Sequence, residues 1–417
     1  MRVEAEVEIV GTAKADVRLT LGYIPPVDCA TLIVARDNGF ARHEGLALSL
    51  VKETSWANIR DRVMLGQFDA AHMLGRLPIA ATLGIGHPPA PMIAPFSLGL
   101  GGDAITVSSE LFAHIEGAPE GPAEMGRALA QAIARRRRQD AAPLTFGVVH
   151  AFSGHNYEHR YWLAAAGVDP DRDARIAVLP PPLMVQALAE GHVDGFCVGE
   201  LWNSLAVEAG LGVILVTKAS IWKHGPEKML GLRADFAERQ PEALAALLRA
   251  MHRAAEWAGR ADNHDELAGM LATPDCLNTS AEIVLRALSG RLVRKAGEAP
   301  QATPDFLVFH ASAANFPWES HALWFYSQMA RWRQVAFSSA EVDTVRRVYR
   351  PDLYRAALAG IGVDLPRANA KVEGALTRPT PVASRLGAVV LGPDGFFDGR
   401  LFAPDRIEAY IASFNPA

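Results

Sequence analysis

The chain has 417 residues, half of them hydrophobic and 21% charged, with a formal net charge of −5. This length exceeds that of a usual single core, so two lobes are expected, and the composition is typical of a soluble globular protein. No stretch of eighteen apolar residues occurs, which argues against a membrane span. The one basic run, Arg135–Arg138, is interpreted as the solvated end of a helix, not as a nucleic-acid surface.

The N-terminus bears on the cellular compartment. Glu4, Glu6 and Glu8 fall where a secretory signal would need an uninterrupted apolar core, so the sequence predicts a cytoplasmic protein unless a leader has been removed. Residues 1–16 are predicted to be a flexible N-terminus. The cysteines are odd in number and widely spaced, and they imply no disulfide framework: Cys29, Cys197 and Cys276.

Strands and helices are predicted to alternate along the first hundred residues, which indicates an α/β lobe. Strands are predicted at the apolar runs 17–23, 46–51, 70–74, 91–97 and 104–107. Helices are predicted at 30–38 and 56–65, the second with Thr54 or Ser55 as its cap. A glycine-rich step before the last strand suits a crossing between lobes, although it is equally typical of an ordinary loop: Gly99, Gly101 and Gly102.

Residues 145–203 show the same alternation. Strands are predicted at 145–149, 176–179 and 193–198, separated by helices that begin at Ser153 and after Pro182. Three polar residues fall just past strand ends: His155, Asn156 and Glu200. Because ligands bind at the carboxyl ends of strands in a doubly wound sheet, a site is predicted there.

The two stretches share the pattern helix–Gly–x–x–Asp–strand. A shift of about 125 positions aligns three pairs of residues: Gly66 with Gly191, Asp69 with Asp194, and His72 with Cys197. Each glycine is predicted to end its helix and each aspartate to cap the turn into a strand. Such a pattern also recurs by chance in α/β proteins, but we favour two related lobes that face one another across a cleft.

The rest of the chain is predicted to return to the first lobe. Residues 212–217 are interpreted as the return strand, 241–258 as the clearest element of a long helical region, and a last helix is predicted from Pro404. The expected architecture is an α/β protein with a discontinuous lobe I (17–104 and 213–417) and an inserted lobe II (105–212). Two crossings between the lobes allow hinge closure around a ligand.

Six motifs spread over nearly the whole chain resemble the nitrate- and bicarbonate-binding proteins of bacterial transporters, a family with cytoplasmic nitrate/nitrite-sensing relatives of the NasS type. They are LGYIPPVDCATLIVARDNGF (21–40), SWANIRDRVMLGQFDAAHML (55–74), GHNYEHRYWLAAAGVDP (154–170), PPPLMVQALAEGHVDGFCVGELWN (180–203), GPEKMLG (225–231) and FFDGRLFAP (396–404). GHNYEHRYWL and VGELWN are specific, whereas DNGF alone is not. The resemblance implies a two-lobed, periplasmic-binding-protein type II-like fold with a ligand cleft between the lobes, without catalytic residues, cofactor or metal.

The resemblance also implies which residues hold the anion. Nitrate is small, planar and weakly basic, so its site needs a few converging donors and one positive charge in a dry cleft. Trp56 and His155 each begin a helix, where free N–H groups and the dipole favour an anion. Lys228 matches the family lysine that supplies the cation. On their own, these residues would be interpreted as a packed aromatic, a structural histidine and a solvated lysine.

Four further residues are expected at the site: Glu200 and Asp103, and in a second tier His72 and Asn156. Glu200 is expected to cap a helix or to orient a donor such as His155, because a second negative charge beside the anion would repel it. Asp103 lies where transport members usually carry an amide, so it points away, is protonated or marks altered specificity. Gly225 lies where transport members tend to have His.

Three functions remain open, of which we favour the first. A cytoplasmic nitrate/nitrite sensor would control a NasT-like RNA-binding response regulator, with anion and partner coupled through the lobe arrangement. A solute receptor for nitrate, nitrite, bicarbonate or cyanate would deliver to a transporter and would require export. A metal beside bicarbonate is not expected, since no dense carboxylate cluster occurs at close spacing. An enzyme would use Cys29 as nucleophile and His72 as base, although Asp28 opposes a low thiol pKa.

Overall fold

The computed structural model describes residues 17–414, so the predicted flexible N-terminus, residues 1–16, lies outside the described part. The strands, in chain order, are β1 Val17–Tyr23, β2 Leu46–Lys52, β3 Ala70–Leu74, β4 Met92–Ser97, β5 Leu100–Gly101, β6 Asp103–Ser108, β7 Thr145–Val148, β8 Arg175–Val178, β9 Gly195–Gly199, β10 Gly212–Thr217, β11 Lys228–Arg233, β12 Arg291–Leu292, β13 Gln301–Ala302, β14 Leu307–Val308, β15 Thr380–Ala383 and β16 Ala388–Leu391.

The helices of the first half are α1 Ala30–Asp37, α2 Phe40–His43, α3 Trp56–Met64, α4 Leu77–Leu83, α5 Ser109–Ala113, α6 Pro122–Arg138, α7 Gly154–Ala165, α8 Met184–Ala189 and α9 Trp202–Glu208. Those of the second half are α10 Lys218–Ile221, α11 Ala234–Arg239, α12 Pro241–Ala258, α13 His264–Ala272, α14 Ala281–Leu288, α15 Glu319–Arg331, α16 Ser339–Arg346, α17 Pro351–Leu358 and α18 Ile407–Ala412. Among the described residues, no helix combines the length and the apolar character that a membrane crossing needs.

Two mixed five-stranded sheets form the framework of the molecule. The first has the order β2-β1-β3-β11-β4 and the second the order β10-β6-β9-β7-β8. We call the first sheet with its helices lobe I and the second sheet with its helices lobe II. In each sheet, three neighbouring parallel strands are followed by one strand of opposite direction, β11 in the first sheet and β6 in the second, and by an edge strand beyond it. The predicted α/β, two-lobed fold is therefore confirmed.

The Gly–x–x–Asp pattern builds the same local structure in both lobes. Gly66 and Gly191 end their helices with φ of 75° and 69°, values that favour glycine. The carboxylate of Asp69 accepts a hydrogen bond from the Thr20 amide at 2.8 Å. In lobe II the carboxylate of Asp194 accepts one from the Thr145 amide at 2.7 Å. Each aspartate thus fixes the start of one strand against its parallel neighbour, as the sequence predicted.

The second crossing between lobes comes later than predicted. Residues 212–217 were assigned to lobe I from residue 213 onward, but β10 pairs antiparallel with β6 in the lobe II sheet. The chain returns to lobe I through β11, whose residues were predicted to belong to a long helical region. This strand lies between β3 and β4, so lobe I is completed by a strand from far along the chain. Helix α4 was also not predicted.

The C-terminal segment, residues 319–414, packs against both lobes. Its aromatic residues Trp324, Phe325 and Tyr410 share one apolar cluster with Phe146 and Tyr161 of lobe II. Toward lobe I, the Tyr349 hydroxyl donates to the Gly75 carbonyl at 3.0 Å, and the Ala94 amide donates to the Val348 carbonyl at 2.8 Å. The described chain therefore consists of two sheets and a segment that connects them from one side.

Candidate functional site

Charged side chains from both lobes meet where the two sheets face one another. Asp28 follows β1, Arg76 follows β3, and His155 begins α7 just after β7. β11 runs antiparallel to β3 and pairs Lys228 with Leu74, so its first residue reaches the carboxyl edge of the parallel strands. This is the edge at which ligands bind in open α/β sheets.

Eight side chains form what we call the interlobe charge cluster, and all are at least nine-tenths buried: Asp28, Arg76, Asp103, His155, Glu158, Lys218, Glu227 and Lys228. Because burying an unpaired charge is very costly, each member must be compensated by its neighbours. Side chains of the two lobes contact one another directly within it, and the cleft is therefore closed.

Lys228 is surrounded by carboxylates. Its Nζ lies 2.9 Å from Asp28 Oδ2, 3.3 Å from Glu227 Oε1 and 3.9 Å from Asp103 Oδ1. Burial alone would lower the pKa of Lys228, but these three carboxylates outweigh burial and raise the pKa. Lys228 is therefore a cation at all physiological pH values, and the alternative of a solvated lysine is wrong.

His155 connects the two lobes through its ring. Nε2 lies 3.1 Å from Asp103 Oδ1, and Nδ1 lies 3.5 Å from Glu227 Oε1. Helix α7 presents the ring because Ser153 caps the helix, its hydroxyl accepting a hydrogen bond from the Asn156 amide at 3.0 Å. Asp103, the first residue of β6, thus points into the cluster and not away from it.

Glu227 is the most heavily paired carboxylate of the cluster. Its Oε2 lies 2.6 Å from Arg76 Nη1 and 3.0 Å from Lys218 Nζ. Burial alone would raise the pKa of Glu227, but Arg76, Lys218 and Lys228 hold the pKa well below its usual range. Glu227 is therefore ionised and ties the segment before β11 to both lobes.

Glu158 faces the same cations from helix α7. Its Oε1 lies 2.7 Å from Lys218 Nζ and 3.6 Å from Arg76 Nη2. Burial raises the pKa of Glu158 to about 7, with Lys218 opposing and Glu227 adding to the shift. This carboxyl group is the member of the cluster that takes up a proton near neutral pH.

Gly154 allows α7 to approach the cluster closely. A Cβ atom at this position would lie 1.9 Å from Glu227 Oε2 and 2.3 Å from Arg76 Nη2. Both groups are buried and paired, so neither has room to move aside. The glycine that precedes His155 is therefore required by the packing of the cluster against the helix start.

Trp56 lines the cluster from lobe I. It begins α3 behind Ser55, whose hydroxyl accepts a hydrogen bond from the Asn58 amide at 3.2 Å. Lys228 Nζ lies 5.5 Å from the centroid of the Trp56 ring, within cation–π range. The Trp56 indole N–H is buried and has no hydrogen-bond partner among the described residues. It is a free donor beside a fixed cation.

The formal charges of the cluster do not cancel. Its three cations are Arg76, Lys218 and Lys228, and its four carboxylates are Asp28, Asp103, Glu158 and Glu227. With His155 neutral and all carboxylates ionised, the sum is one negative charge. An incoming anion therefore favours protonation of a member of the cluster, since it would otherwise add to an existing negative charge.

His72, from the second tier of the expected site, lies next to the cluster. His72 is fully buried on β3, and its Nε2 lies 2.8 Å from Asp28 Oδ1. Burial raises the pKa of Asp28, but Lys228 and His72 outweigh this and lower it to about 2. Burial lowers the pKa of His72. His72 thus positions Asp28, which in turn contacts Lys228.

Glu200 caps a helix, which is one of the two roles expected of it, and the side chain of Asn156 is engaged by neighbours close in the sequence. The Glu200 carboxylate accepts from the Ser204 amide at 3.2 Å and so caps α9, while its backbone carbonyl accepts from the Val27 amide of lobe I. Burial raises the pKa of Glu200 to about 7. The side-chain amide of Asn156 donates to the Ala151 carbonyl, and its oxygen accepts from Arg160 Nε. Both partners lie within five positions in the sequence.

The Cys29 nucleophile hypothesis is not supported by the geometry. Burial raises the pKa of Cys29, and its side chain is fully buried in the core of lobe I. Its supposed base, His72, pairs with Asp28 instead. A nucleophilic cysteine needs the opposite conditions, an accessible thiol with a depressed pKa.

No dense carboxylate cluster was expected from the spacing of residues in the sequence, but the fold brings such residues together in space. Asp103, His155 and Glu227 offer ligand atoms that all lie within 4.8 Å of one another. A divalent cation fits them poorly, however, because the ammonium groups of Lys218 and Lys228 lie 3.7 Å and 3.9 Å from Asp103 oxygens. These ammonium groups already supply the positive charge that a metal would bring.

Sequence reasoning missed several members of the cluster: Arg76, Glu158, Lys218 and Glu227. Glu227 lies within the motif GPEKMLG, in which only the lysine was selected. Arg76 and Lys218 each follow a wholly buried strand. A charged residue directly after a buried strand was the available signal, because such a residue emerges at the sheet edge.

The amino-terminal two thirds of the chain match a known family model. Residues 12–272 match the model of the NMT1-like family. The nitrate/nitrite binding protein NrtA of Synechococcus elongatus is 33% identical over 403 residues, covering 94% of this chain and 85% of that protein. The nitrate import ATP-binding protein NrtC of Synechocystis is 35% identical over 409 residues, but this chain spans only 56% of its length.

One solved structure has the same arrangement over nearly the whole chain. The crystal structure of the periplasmic nitrate-binding protein NrtA from Synechocystis superposes with a TM-score of 0.84 at 27% sequence identity. The match covers 97% of this chain and 100% of that one. It includes both lobes and the C-terminal segment.

Proposed function

The chain belongs to the NMT1-like family, together with the nitrate-binding protein NrtA, and from that premise we propose that it binds nitrate or nitrite at the interlobe charge cluster as the solute-binding component of an anion importer. One observation carries the proposal. Trp56, His155 and Lys228, which come from both lobes and three separate parts of the sequence, converge on one buried position.

The geometry offers what a small planar oxyanion requires. Lys228 supplies a permanent positive charge, the free Trp56 indole N–H supplies a donor, and the His155 ring supplies a second donor when protonated. The surroundings are dry, so each of these interactions is stronger than it would be in water. Burial of the anion requires that the two lobes separate and close again around it.

The carboxylate of Asp103 occupies the position of an anion in this closed structure. Its Oδ1 lies 3.1 Å from His155 Nε2 and 3.9 Å from Lys228 Nζ. A carboxylate is itself a planar oxyanion, so Asp103 contacts the same donors that nitrate would use. Binding of nitrate therefore requires that Asp103 rotates away or takes up a proton.

Titration calorimetry with nitrate, nitrite and bicarbonate tests the proposal. We expect micromolar affinity for nitrate or nitrite, reduced at least tenfold (about 1.4 kcal/mol) in His155→Ala and in Lys228→Ala, because each variant removes a donor from the buried position. The matched controls, Lys223→Ala and His192→Ala, alter more exposed residues and should bind like the wild type. Unchanged affinity in both site variants, confirmed as folded by circular dichroism, would remove the site assignment.

A second candidate is a cytoplasmic nitrate/nitrite sensor that controls an RNA-binding antitermination regulator. It is favoured by Gly225, where transport members tend to have His. A Cβ atom at Gly225 would lie 2.9 Å from the Trp222 ring, so packing opposes a side chain there. Co-purification with a NasT-like regulator only in the absence of anion would support the sensor. Recovery of the tagged protein in the periplasm of its host would support the importer component.

A further inference from the structure

The Arg76 guanidinium lies between the interlobe charge cluster and the C-terminal segment. Its Cζ is 3.6 Å from the centroid of the Phe325 ring, which belongs to α15. Both side chains are fully buried, so no water competes for this contact. The face of an aromatic ring attracts a guanidinium, and the attraction is strongest where both are desolvated. The Phe325 ring therefore sets the plane of the guanidinium.

The edge of the same guanidinium faces the segment that precedes β11. Nη1 donates to the Glu227 carbonyl at 2.8 Å and lies 2.6 Å from Glu227 Oε2. Nη2 donates to the Pro226 carbonyl at 3.1 Å. The N–H groups of a guanidinium all lie in its plane, so these bonds form together only in one orientation of the group. A ring on the face and acceptors at the edge fix that orientation.

The turn that carries Arg76 is held by the C-terminal segment as well. The Tyr349 hydroxyl donates to the Gly75 carbonyl at 3.0 Å, and a Cβ atom at Gly75 would lie 2.6 Å from the hydroxyl oxygen. On its other side, the Gly75 amide donates to the Glu227 carbonyl at 3.0 Å. The C-terminal segment thus contacts both the backbone of this turn and the Arg76 side chain.

Arg76 determines how the Glu227 carboxylate is shared within the cluster. One oxygen, Oε2, contacts Arg76 and Lys218. The other, Oε1, lies 3.3 Å from Lys228 Nζ and 3.5 Å from His155 Nδ1, the groups proposed to bind the anion. A Glu227 carboxylate released by Arg76 would be drawn toward Lys228 and His155, where it would compete with the ligand. Arg76 therefore favours anion binding by holding Glu227.

We propose that Phe325 is a positioning residue for the anion site and acts on the ligand through Arg76 and Glu227. The ring orients the guanidinium, the guanidinium holds the carboxylate, and Lys228 and His155 stay available to the anion. The C-terminal segment then takes part in anion binding in addition to connecting the two lobes. This inference rests on the proposed function, because its effect is measured as anion affinity.

Phe325→Leu tests the inference, because leucine is apolar but has no aromatic face for the guanidinium. We expect nitrate to bind roughly fivefold more weakly to this variant in titration calorimetry. Phe316→Leu is the matched control, since the buried Phe316 ring lies 4.8 Å from Arg355 Cζ and packs in the core of lobe I. The control should lose stability in urea, as Phe325→Leu does, but keep the affinity of the wild type.

Two further variants separate the orienting effect from a general loss of packing. Arg76→Lys keeps the charge but has no planar group to place on the ring. In that background, Phe325→Leu should weaken nitrate binding by no more than about twofold, because no oriented guanidinium remains to be lost. Phe325→Tyr keeps the aromatic face and should bind nitrate like the wild type, which decides the question if Arg76→Lys does not fold.

Three results would overturn the inference: wild-type affinity in Phe325→Leu, an equal loss of affinity in Phe316→Leu, or an equal loss with and without Arg76. In each of these cases the wild-type chain binds nitrate, so the proposed function is unaffected. A wild-type chain that binds neither nitrate nor nitrite would instead overturn the proposed function.

Discussion

At position 103 the chain places a negative charge where the proposed ligand, also negative, has to bind. Asp103 is fully buried and contacts His155, Lys218 and Lys228. In the absence of an external anion, its carboxylate is the fourth negative charge of the cluster and pairs with the cations that an anion would contact. Asp103 therefore competes with the anion for the same partners, and this competition lowers the affinity of the site.

Replacing Asp103 by Asn should strengthen nitrate binding. The variant keeps the side-chain volume, removes one of four carboxylates that oppose three cations, and offers an amide N–H to the anion. We expect nitrate affinity to rise at least tenfold (about 1.4 kcal/mol) in titration calorimetry. The control Asp235→Asn, at an exposed position, should change nothing. Equal or weaker binding by Asp103→Asn would show that Asp103 helps to hold the ligand.

At the level of elements, most strands and helices were predictable because their patterns are local. Helix α12 was predicted from residue 241 to residue 258, as the structure has it, and β1 and β3 also agree. Strand β11 was missed because its short apolar run, residues 229–232, does not distinguish a strand from a buried helical segment. Its partners, β3 and β4, lie more than a hundred residues earlier, and no local pattern reports such a pairing.

The distinction between local patterns and pairings of distant segments also explains which site residues could be predicted. Trp56 and His155 were found through the resemblance of their motifs to the family, and each also lies at a helix start behind a serine cap, which is a local signal. Arg76 pairs with Glu227, 151 positions away, and such partners are set by the topology of the two sheets. The ion pairs of the cluster were therefore beyond sequence reasoning, although the charged residues themselves were visible at strand ends.

The start of helix α7 provides a test at this scale. Gly154→Ala would place a methyl group within 1.9 Å of Glu227 Oε2, so the helix start and the cluster have to separate. We expect a loss of about 1–3 kcal/mol in the free energy of unfolding, measured by urea denaturation, together with at least tenfold weaker nitrate binding. Gly269→Ala in α13 is the matched control, since nothing lies within 4 Å of the added carbon.

That control should be neutral or slightly stabilising, because alanine is favoured over glycine within a helix. If Gly154→Ala unfolds at the same urea concentration as the wild type and binds nitrate equally well, the close approach of α7 to the cluster is not required. The two variants together separate the effect of packing from the general effect of replacing glycine.

At the scale of the whole molecule, buried ionisable groups predict how stability depends on pH. Burial lowers the pKa of His159 to about 3 and the pKa values of His150 and His252 to about 4. These groups contribute stability above their unfolded pKa, which is lost as the pH falls below it. Burial raises the pKa values of Glu158 and Glu200 to about 7. These two groups therefore add to the stability of the folded chain as the pH falls from about 7 to about 4.5.

Burial also lowers the pKa values of His72, His224, His264 and His321, so the histidines outnumber the two glutamates that oppose them. We therefore expect a melting temperature that falls as the pH drops below about 6.5 and falls more steeply below about pH 4.5, where the glutamates no longer oppose the loss. In the lower range, Glu158 and Glu200 are protonated in both states. Protonation of Asp28 and Glu373, whose pKa values are each lowered to about 2 by ionic partners that outweigh burial, then adds to the loss from the histidines. Calorimetric melts across this range provide the measurement.

His159→Phe is the matched variant for this prediction. The ring of His159 packs against that of Phe146, with 4.7 Å between the ring centroids and the planes tilted by 49°. Neither ring nitrogen has a partner among the described residues, so phenylalanine suits the site. We compare the free energy of unfolding of the variant with that of the wild type at each pH. This difference should favour the variant by about 2–3 kcal/mol more at pH 4.5 than at pH 7. A difference that is independent of pH would show that the pKa of His159 is the same in the folded and the unfolded chain.

The C-terminal segment sets a limit on how this molecule exchanges ligand. Tyr349 contacts lobe I, while Tyr157 and Tyr161 of lobe II donate to Gln334 and Asp398 in the same segment. Separation of the lobes on that side would break the contacts of the C-terminal segment with both lobes. The cleft therefore opens on the opposite side. Different anions then enter and leave by the same route, so their association rates should differ far less than their dissociation rates.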